Sequence, residues 1–149
     1  MTSVNAFSGT SAQPWAEHIA GLLGQALKRI RAEILDTSEE HFPGLRVSHY
    51  RLLEMIPADG ARITDLAEVA VMTKQGLGQH IDYLQRLGYA ESDRLREDRR
   101  VRLVRRTAKG DDAVAFSRAA IERVEELWAE RLGPERYAVL RETLRELGS

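Results

Sequence analysis

Apolar positions recur every three or four residues along most of this 149-residue chain, which predicts a mainly α-helical fold. Six helices are expected. The first runs from Pro14 to the region Leu35–Thr37 and the last from Pro134 onward. The four between them each begin at a capping residue: Ser48 for the helix through Met55, Thr64 for the helix to Ala70, Thr73 for the helix to Leu87, and Thr107 for the helix to about Leu132. A connector is expected at Glu39–Leu45 and a short strand at Arg62–Ile63. Gly88 suits the left-handed position that closes the fourth helix.

The fourth helix has two contrasting faces. Its apolar stripe consists of Leu77, Ile81 and Leu84. The opposite face consists of Lys74, Gln75, Gly78, Gln79 and Asp82. A glycine inside a helix costs about 1 kcal/mol relative to alanine, so Gly76 and Gly78 require a reason. They either let a partner approach the helix closely, or pack against the preceding helix, or are simply tolerated, and the residues alone leave these explanations open.

A basic segment follows this helix. Two partly alternating stretches, Tyr89–Ser92 and Val101–Val104, predict a β-hairpin with its tip at Arg94–Arg99. From Arg94 to Lys109 there are eight basic and two acidic residues, a local charge of +6 in a chain whose total charge is −1. Arginine suits planar contacts with phosphates and base edges. A polar helix face followed by this hairpin predicts a helix-turn-helix that reads duplex DNA.

These segments together resemble the MarR-type winged helix-turn-helix regulators. The resemblance is carried by Thr64–Ala67, Met72–Gln75, Leu84–Tyr89, the wing residues Asp98–Arg100, and Leu103–Gly110. It implies a mainly α fold, a winged helix-turn-helix with a small β-hairpin wing, and long N- and C-terminal dimerisation helices. Many relatives carry Ser/Thr and Arg where this chain has Gly76, Gly78 and Gln79, so their base preferences do not transfer.

The resemblance also suggests roles in DNA binding. Lys74, Gln75 and Gln79 are expected to face the major groove, where glutamine can pair with adenine. Arg100 is the candidate for the minor groove, oriented by Asp98, although residue type alone also allows Asp98 to be a turn-forming aspartate. Thr64 and Thr73 are expected to hold phosphates at helix N-termini, and Arg96, Arg99 and Arg102 to attract phosphates. The predicted DNA-contacting set is Thr64, Thr73, Lys74, Gln75, Gly76, Gly78, Gln79, Arg96, Asp98, Arg99, Arg100 and Arg102.

The length of the chain indicates one domain. The predicted elements divide it into four segments. These are a flexible N-terminus (1–13), an N-terminal dimerisation helix with its connector (14–44), the DNA-binding region (45–108) and the C-terminal dimerisation helices (109–149). The terminal helices are expected to interleave with a second copy of the chain, so that the homodimer binds an inverted repeat in double-stranded DNA. The alternative is a monomer in which these helices fold back as a bundle.

Composition and residue spacing limit which classes of protein remain. The chain has no cysteine, no apolar run of membrane-spanning length and no secretory signal, so a cytoplasmic protein is expected. Its four histidines lack the spacings of zinc sites, and no nucleophile motif or phosphate-binding glycine loop is visible, so neither a metal, a cofactor nor an enzymatic activity is expected.

Two questions stay open. The resemblance implies a small aromatic effector, for which Trp15, His41, Phe42, His49 and Tyr50 are the candidate pocket; these residues could equally fill the core and the connector. The favoured function is a DNA-binding repressor released by a ligand. The other class is a winged-helix module whose arginines bind an acidic protein partner.

Overall fold

The structure, a computed structural model, describes residues 14–149, with side-chain surroundings given from residue 16 onward. In this part of the chain the elements are α1 (Pro14–Glu17), α2 (Ile19–Leu35), α3 (Ser38–His41), α4 (Val47–Met55), β1 (Ala61–Arg62), α5 (Ile63–Ala70), α6 (Lys74–Arg86), β2 (Ala90–Arg94), β3 (Arg102–Arg106), α7 (Ala108–Leu132) and α8 (Pro134–Gly148). The predicted fold class, mainly helical with a β-hairpin wing, is confirmed. The segment 1–13, predicted to be flexible, lies outside the described residues.

The first predicted helix is divided in two. His18 adopts an extended conformation, with φ −72° and ψ 150°, and separates α1 from α2. The apolar spacing continues across this residue, so the pattern alone could not show the break. The expected connector also begins with a one-turn helix, α3, whose Ser38 hydroxyl shares a hydrogen bond with the hydroxyl of Tyr50.

Two of the four predicted N-caps are confirmed. The hydroxyl of Thr73 accepts a hydrogen bond from the Gly76 N–H at 3.0 Å, and that of Thr107 accepts one from the Gly110 N–H at 3.1 Å.

The predicted caps at Ser48 and Thr64 are wrong, because both helices begin two residues earlier than those caps imply. Helix α4 starts at Val47, and the Arg46 N–H before it donates to Nδ1 of His49 at 2.9 Å. Helix α5 starts at Ile63 because Arg62 is held extended by its pairing with β3, so the strand runs directly into the helix.

The three strands form an antiparallel sheet in the order β1-β3-β2. Ala61 lies opposite Val104, and Ala90 lies opposite Arg106. The hairpin is confirmed, but each of its strands begins one residue later and ends two residues later than predicted. The short first strand is Ala61–Arg62 rather than Arg62–Ile63. We call β2, β3 and the loop 95–101 between them the wing.

The turn between α5 and α6 contains an unusual backbone conformation. Val71 has φ 54° and is 89% exposed, although left-handed conformations cost a residue with a side chain about 1–2 kcal/mol. The Val71 N–H donates to the Glu68 carbonyl at 3.1 Å and the Met72 N–H to the Ala67 carbonyl at 2.9 Å, a pattern that ends helices in this conformation. The turn is therefore held by backbone hydrogen bonds rather than by glycine.

A single core joins the segments that the sequence separates. The apolar stripe of α6, formed by Leu77, Ile81 and Leu84, is fully buried, as predicted. It packs with residues from α2, α4, α5, β3 and α7. Gly88, with φ +84°, adopts the predicted left-handed conformation after α6. None of the helices between residues 14 and 149 combines the length and apolar character needed to cross a membrane.

The start of α7 is locked against the end of α6. The Thr107 hydroxyl donates to the Gly88 carbonyl at 2.6 Å, and the Thr107 N–H donates to the Tyr89 carbonyl at 3.2 Å. A Cβ atom added at Gly110 would lie 2.1 Å from the Tyr89 carbonyl oxygen, a backbone atom that cannot move aside. Glycine is therefore required at this crossing.

We expect Gly110→Ala to lower the free energy of unfolding by about 1–3 kcal/mol, the usual range for an overpacked site. Chemical denaturation measures this change. Gly148→Ala is the matched control, because an added Cβ there would meet no described atom within 4 Å. That variant should stay within about 0.5 kcal/mol of the wild type. Equal stability of the two variants would contradict the close contact.

Candidate nucleic-acid interface

Helix α6 presents a polar face to solvent. Its exposed side chains include Lys74, Gln75, Gln79, Asp82 and Arg86, which recur at helical spacing. The buried stripe on the opposite side fixes this orientation. The predicted placement of Lys74, Gln75 and Gln79 on an open face therefore agrees with the structure, and their contact with DNA stays a prediction.

The two glycines of α6 have different surroundings. A Cβ added at Gly76 would lie 3.0 Å from Thr73 Oγ1, the atom that caps the helix, so Gly76 makes room for this cap. A Cβ added at Gly78 would make ordinary contacts, 3.8 Å to Cδ1 of Ile63 and 4.0 Å to Nη1 of Arg102. Internal packing therefore accounts for Gly76, whereas a Cβ would fit at Gly78 and no neighbour within the described chain requires glycine there.

Asp98 organises the tip of the wing. Its Oδ1 accepts hydrogen bonds from the Arg100 backbone N–H at 3.0 Å and from Nε of Arg100 at 3.1 Å. Hydrogen bonds from the Arg100 side chain and then from its backbone lower the pKa of Asp98 below its usual value. Asp98 therefore both forms the turn and orients Arg100, whose side chain is 92% exposed.

The arginines of the wing divide into two groups. Arg94, Arg96, Arg99 and Arg100 are exposed around the tip. The arginines of β3 are instead paired within the molecule: Arg102 with Asp82 at 2.7 Å, Arg105 with Asp93 at 2.8 Å, and Arg106 with Asp111 at 2.7 Å. Much of the local charge counted from the sequence is thus neutralised along β3.

Arg102 is consequently less available to phosphate than the sequence suggested. Its guanidinium contacts α6 and its side chain is only 15% exposed. The contact with Asp82 also places the wing beside the exposed face of α6. The polar helix face and the arginine-rich tip therefore belong to one side of the molecule.

Three further cationic side chains lie on or near this surface but were not in the predicted DNA-contacting set. Arg86 continues the exposed face of α6, and its spacing of four from Asp82 could have indicated it. Arg94 belongs to the exposed arginines of the wing. Arg62 is exposed at the start of α5, and its charge contributes to the lowered pKa of Asp98. Only the tertiary structure reveals this last proximity, because 36 residues separate the two in sequence.

Thr64 and Thr73 remain exposed, as their predicted role requires. Thr64 occupies the first turn of α5 rather than its cap position. Thr73 uses its hydroxyl oxygen as the cap of α6, so the hydroxyl hydrogen is what it can offer to a phosphate.

The four candidate effector residues whose side chains are described pack against neighbouring aromatic rings. The rings of Phe42 and Tyr50 pack edge to face with centroids 6.4 Å apart, and Phe42 also packs against Phe116 at 5.3 Å. His41 is exposed and lies 5.8 Å from Phe116. This packing favours the alternative that these residues fill the core and its edge. The side chain of Trp15 lies outside the described residues.

A cleft of about 390 Å³ does open nearby, between α2, α4 and α7. Its lining includes Leu27, Ile30 and Ile34 from α2, together with Arg31 and Arg51, and of the candidate effector residues it includes Tyr50. It therefore offers an apolar floor with two guanidinium groups at its edge. Over the residues that are described, no group of three or more His, Cys, Asp or Glu side chains is arranged to hold a metal ion.

His49 is buried on the side of α4 that faces α6. Its side chain is 5% exposed, its ring stacks on Tyr83 with centroids 5.0 Å apart, and His80 lies edge-on at 5.9 Å. Burial lowers the pKa of His49, and the neighbouring His80 and Arg46 lower it further. His49 is therefore a neutral acceptor for the Arg46 N–H, and its stacking on Tyr83 packs α4 against α6.

Comparison with known proteins gives structural matches only. No protein-family model and no curated protein matches the sequence. Among solved structures, the transcriptional repressor CouR bound to a 23-mer DNA duplex is 20% identical, with a TM-score of 0.75 over 95% of this chain and 100% of CouR. Sco3205, a MarR-family transcriptional regulator from Streptomyces coelicolor in complex with DNA, is 20% identical, with a TM-score of 0.65 over 85% of this chain and 81% of Sco3205.

A third match is BpsR of Bordetella bronchiseptica, whose structure concerns regulation of its DNA binding by 6-hydroxynicotinic acid. It is 19% identical, with a TM-score of 0.68 over 88% of this chain and 98% of BpsR. The chain thus has the winged-helix fold of the MarR-type regulators, as the sequence resemblance implied.

We expect the stability of the fold to fall at mildly acidic pH through His49. Because its pKa in the folded chain lies below the ordinary value of 6.5, the unfolded chain takes up the proton first. The stabilising contribution is therefore complete above pH 6.5 and is lost as the pH falls from there through the lower folded pKa. Urea denaturation at a series of pH values measures the effect.

His49→Gln retains an acceptor for the Arg46 N–H but cannot titrate, so its stability should depend less on pH in this range. His18→Gln, at an exposed position, is the control and should keep the wild-type dependence. An identical pH dependence in the wild type and His49→Gln would exclude His49 as its source.

Proposed function

We propose that this chain is a transcription regulator that binds double-stranded DNA as a homodimer, with α6 in the major groove and the wing at the neighbouring minor groove. The observation that carries the proposal is the placement of the exposed polar face of α6 and the arginine-rich wing tip on one side, joined at the contact between Arg102 and Asp82. The structures of CouR and Sco3205 support it, because both hold this fold on DNA.

The residues divide the work of recognition. Gln75 and Gln79 can each form paired hydrogen bonds with adenine, which discriminates by about 1–3 kcal/mol per base. Arg100 enters the minor groove, held by Asp98. Arg96 and Arg99, with Lys74 and the N-terminal threonines Thr64 and Thr73, hold the phosphate backbone.

A second copy of the chain is the proposed cover for the outer helices. Large apolar side chains are exposed on α2, α7 and α8: Ile19, Leu22, Leu23, Leu27, Leu35, Leu127, Val139, Leu144 and Leu147. None of the residues of α8 is buried within the single chain. So many large apolar side chains left exposed on the outer helices favour an interface with another chain. A two-fold dimer then directs the two copies of α6 to half-sites about 10 base pairs apart in an inverted repeat.

An effector site is the second part of the proposal. The cleft between α2, α4 and α7 combines an apolar wall with Arg31 and Arg51, and its lining carboxylate, Glu54, is paired with Arg118 at 2.7 Å. This lining suits a small aromatic acid whose carboxylate meets a guanidinium. The regulation of BpsR by 6-hydroxynicotinic acid supports this class of ligand. The cleft joins the outer helices to α4, so a ligand there can alter how the two copies of the DNA-reading region are spaced. A repressor released by such a ligand, acting in the cytoplasm, is the resulting function.

The purified protein is expected to protect an inverted repeat upstream of its own or a neighbouring gene. A duplex with that repeat should bind at least about 10³-fold more tightly than bulk DNA, with two chains per duplex. Footprinting locates the site, anisotropy with competitor DNA gives the preference, and sedimentation gives the stoichiometry. Little preference for any duplex would favour an acidic protein partner, and a 16.8 kDa particle in dilute solution would remove the dimer.

Arg100→Ala is the matched variant for this experiment. It removes an exposed side chain without an interior contact, so the fold should be unaffected. Binding should weaken, and the plot of log K against log salt concentration should become shallower by about 0.9 if one DNA charge contact is lost. Unchanged affinity and slope would remove Arg100 from the interface.

Titration with a panel of aromatic acids, including 6-hydroxynicotinic acid, tests the effector site. At least one acid should bind with measurable heat and release the protein from its DNA site. Arg51→Gln should abolish both effects, whereas Arg29→Gln, on α2 but outside the cleft lining, should preserve them. The absence of heat and of release across the panel would contradict the proposed site.

A further inference from the structure

Arg102 is the first residue of β3 and crosses from the wing to the recognition helix. Its Nη2 donates to Oδ1 of Asp82 at 2.7 Å and its Nε donates to Oγ of Ser92 at 3.0 Å. Nη2 also lies 3.4 Å from Oε1 of Gln85. One guanidinium thus contacts two positions on α6 and one on β2.

These four residues form a closed set of hydrogen bonds. The Ser92 hydroxyl donates to Oε1 of Gln85 at 2.9 Å, so β2 is bonded to α6 directly as well as through Arg102. Every member of the set has its partner within hydrogen-bonding distance. A planar group with several donors in fixed directions is required at position 102, because the acceptors lie on different elements.

Gly78 lies beside this arrangement. A Cβ atom there would lie 4.0 Å from Nη1 of Arg102, which is an ordinary contact. Arg102 therefore lies along α6 between Gly78 and Gln85, and its path does not require glycine at position 78.

Asp82 would be unfavourable on a DNA-reading surface if it had no cation beside it. It lies on the exposed face of α6, with its side chain 63% exposed, where a free carboxylate would be repelled by phosphates. Pairing with Arg102 cancels this charge locally. The pair contributes little net attraction for DNA, and its evident physical effect is to connect two elements.

We propose that Arg102 is a positioning residue, which fixes the wing relative to the recognition helix, and not a phosphate contact. This inference rests on the proposed function, because it states how the two DNA-reading elements keep one geometry. In the sheet, β1 pairs with β3 at Leu103 and Val104, whereas Arg102 lies opposite Arg94 at the loop end of the wing. The contacts of Arg102 with α6 therefore hold the end of the wing that the pairing with β1 does not reach. Arg100 differs, because its contact with Asp98 stays within the loop.

Hydrogen exchange in the free protein tests the connection without DNA. Arg102→Lys keeps the charge but cannot span the same acceptors, and Asp82→Ala removes the main one. Both should accelerate exchange of the Leu95 and Val101 amides, which close the loop, by about tenfold, the effect of losing one hydrogen bond to a charged group. Asp82→Asn keeps an acceptor oxygen and should stay closer to the wild type. Wild-type exchange rates in Arg102→Lys and Asp82→Ala would overturn the proposal.

DNA binding then separates positioning from phosphate contact. Arg102→Lys and Asp82→Ala should each weaken binding to the inverted repeat about tenfold, the second despite losing a negative charge near DNA. Arg102→Ala should leave the salt slope unchanged, whereas Arg100→Ala should reduce it by about 0.9. Tighter binding by Asp82→Ala, wild-type affinity in Arg102→Lys, or a shallower slope in Arg102→Ala would each overturn the proposal.

The two experiments also distinguish which inference fails. If the wild type shows no preference for any duplex, the proposed function fails and the positioning of a DNA-reading wing fails with it, even where exchange shows the connection between β3 and α6. If the wild type binds its repeat and the Arg102 variants behave as the wild type, the proposed function stands and the role of Arg102 is wrong.

Discussion

Burial of the apolar stripe of α6 is the constraint on which the rest of the structure depends. Leu77, Ile81 and Leu84 are all fully buried, so the helix cannot rotate without exposing apolar surface. The opposite face must then carry its polar residues into solvent. The same burial fixes where the wing can attach, since the side of α6 that it contacts is set by the rotation of the helix.

Charge is distributed on this frame in two ways. Arginines at the wing tip stay exposed, while those of β3 pair with Asp82, Asp93 and Asp111. Exposed ion pairs contribute little to stability by themselves, but Arg106 also donates to the Leu53 carbonyl at 3.0 Å and so ties β3 to α4. The base of the wing is thus fastened to the core, and its tip remains free to meet a partner.

The long helix α7 begins at the same place. Its N-cap, Thr107, is bonded to Gly88 and Tyr89, directly after α6, and its outer end carries exposed apolar residues such as Leu127. A continuous helix of 25 residues therefore connects the end of α6 with the surface proposed for dimerisation.

The sequence by itself determined the helices from their apolar spacing, the hairpin from its two alternating stretches, and two caps from Thr73 and Thr107. All three are local signals. The sequence could not show the break at His18, since the apolar spacing runs through it. It also misplaced the starts of α4 and α5, because Ser48 and Thr64 are the better caps by residue type. In the structure, Arg46 precedes α4 and is held by its hydrogen bond to His49, and Arg62 precedes α5 and is held by its pairing with β3.

Only the tertiary structure decided which arginines are paired with carboxylates within the chain and which glycine of α6 has a close neighbour. In the sequence, Arg100 and Arg102 are two similar members of one basic run. Asp82, twenty residues earlier, pairs with the second, whereas Asp98 holds the first within its own loop. The pairing of Arg102 with Asp82 depends on how the sheet packs against α6. A local sequence pattern does not contain that information.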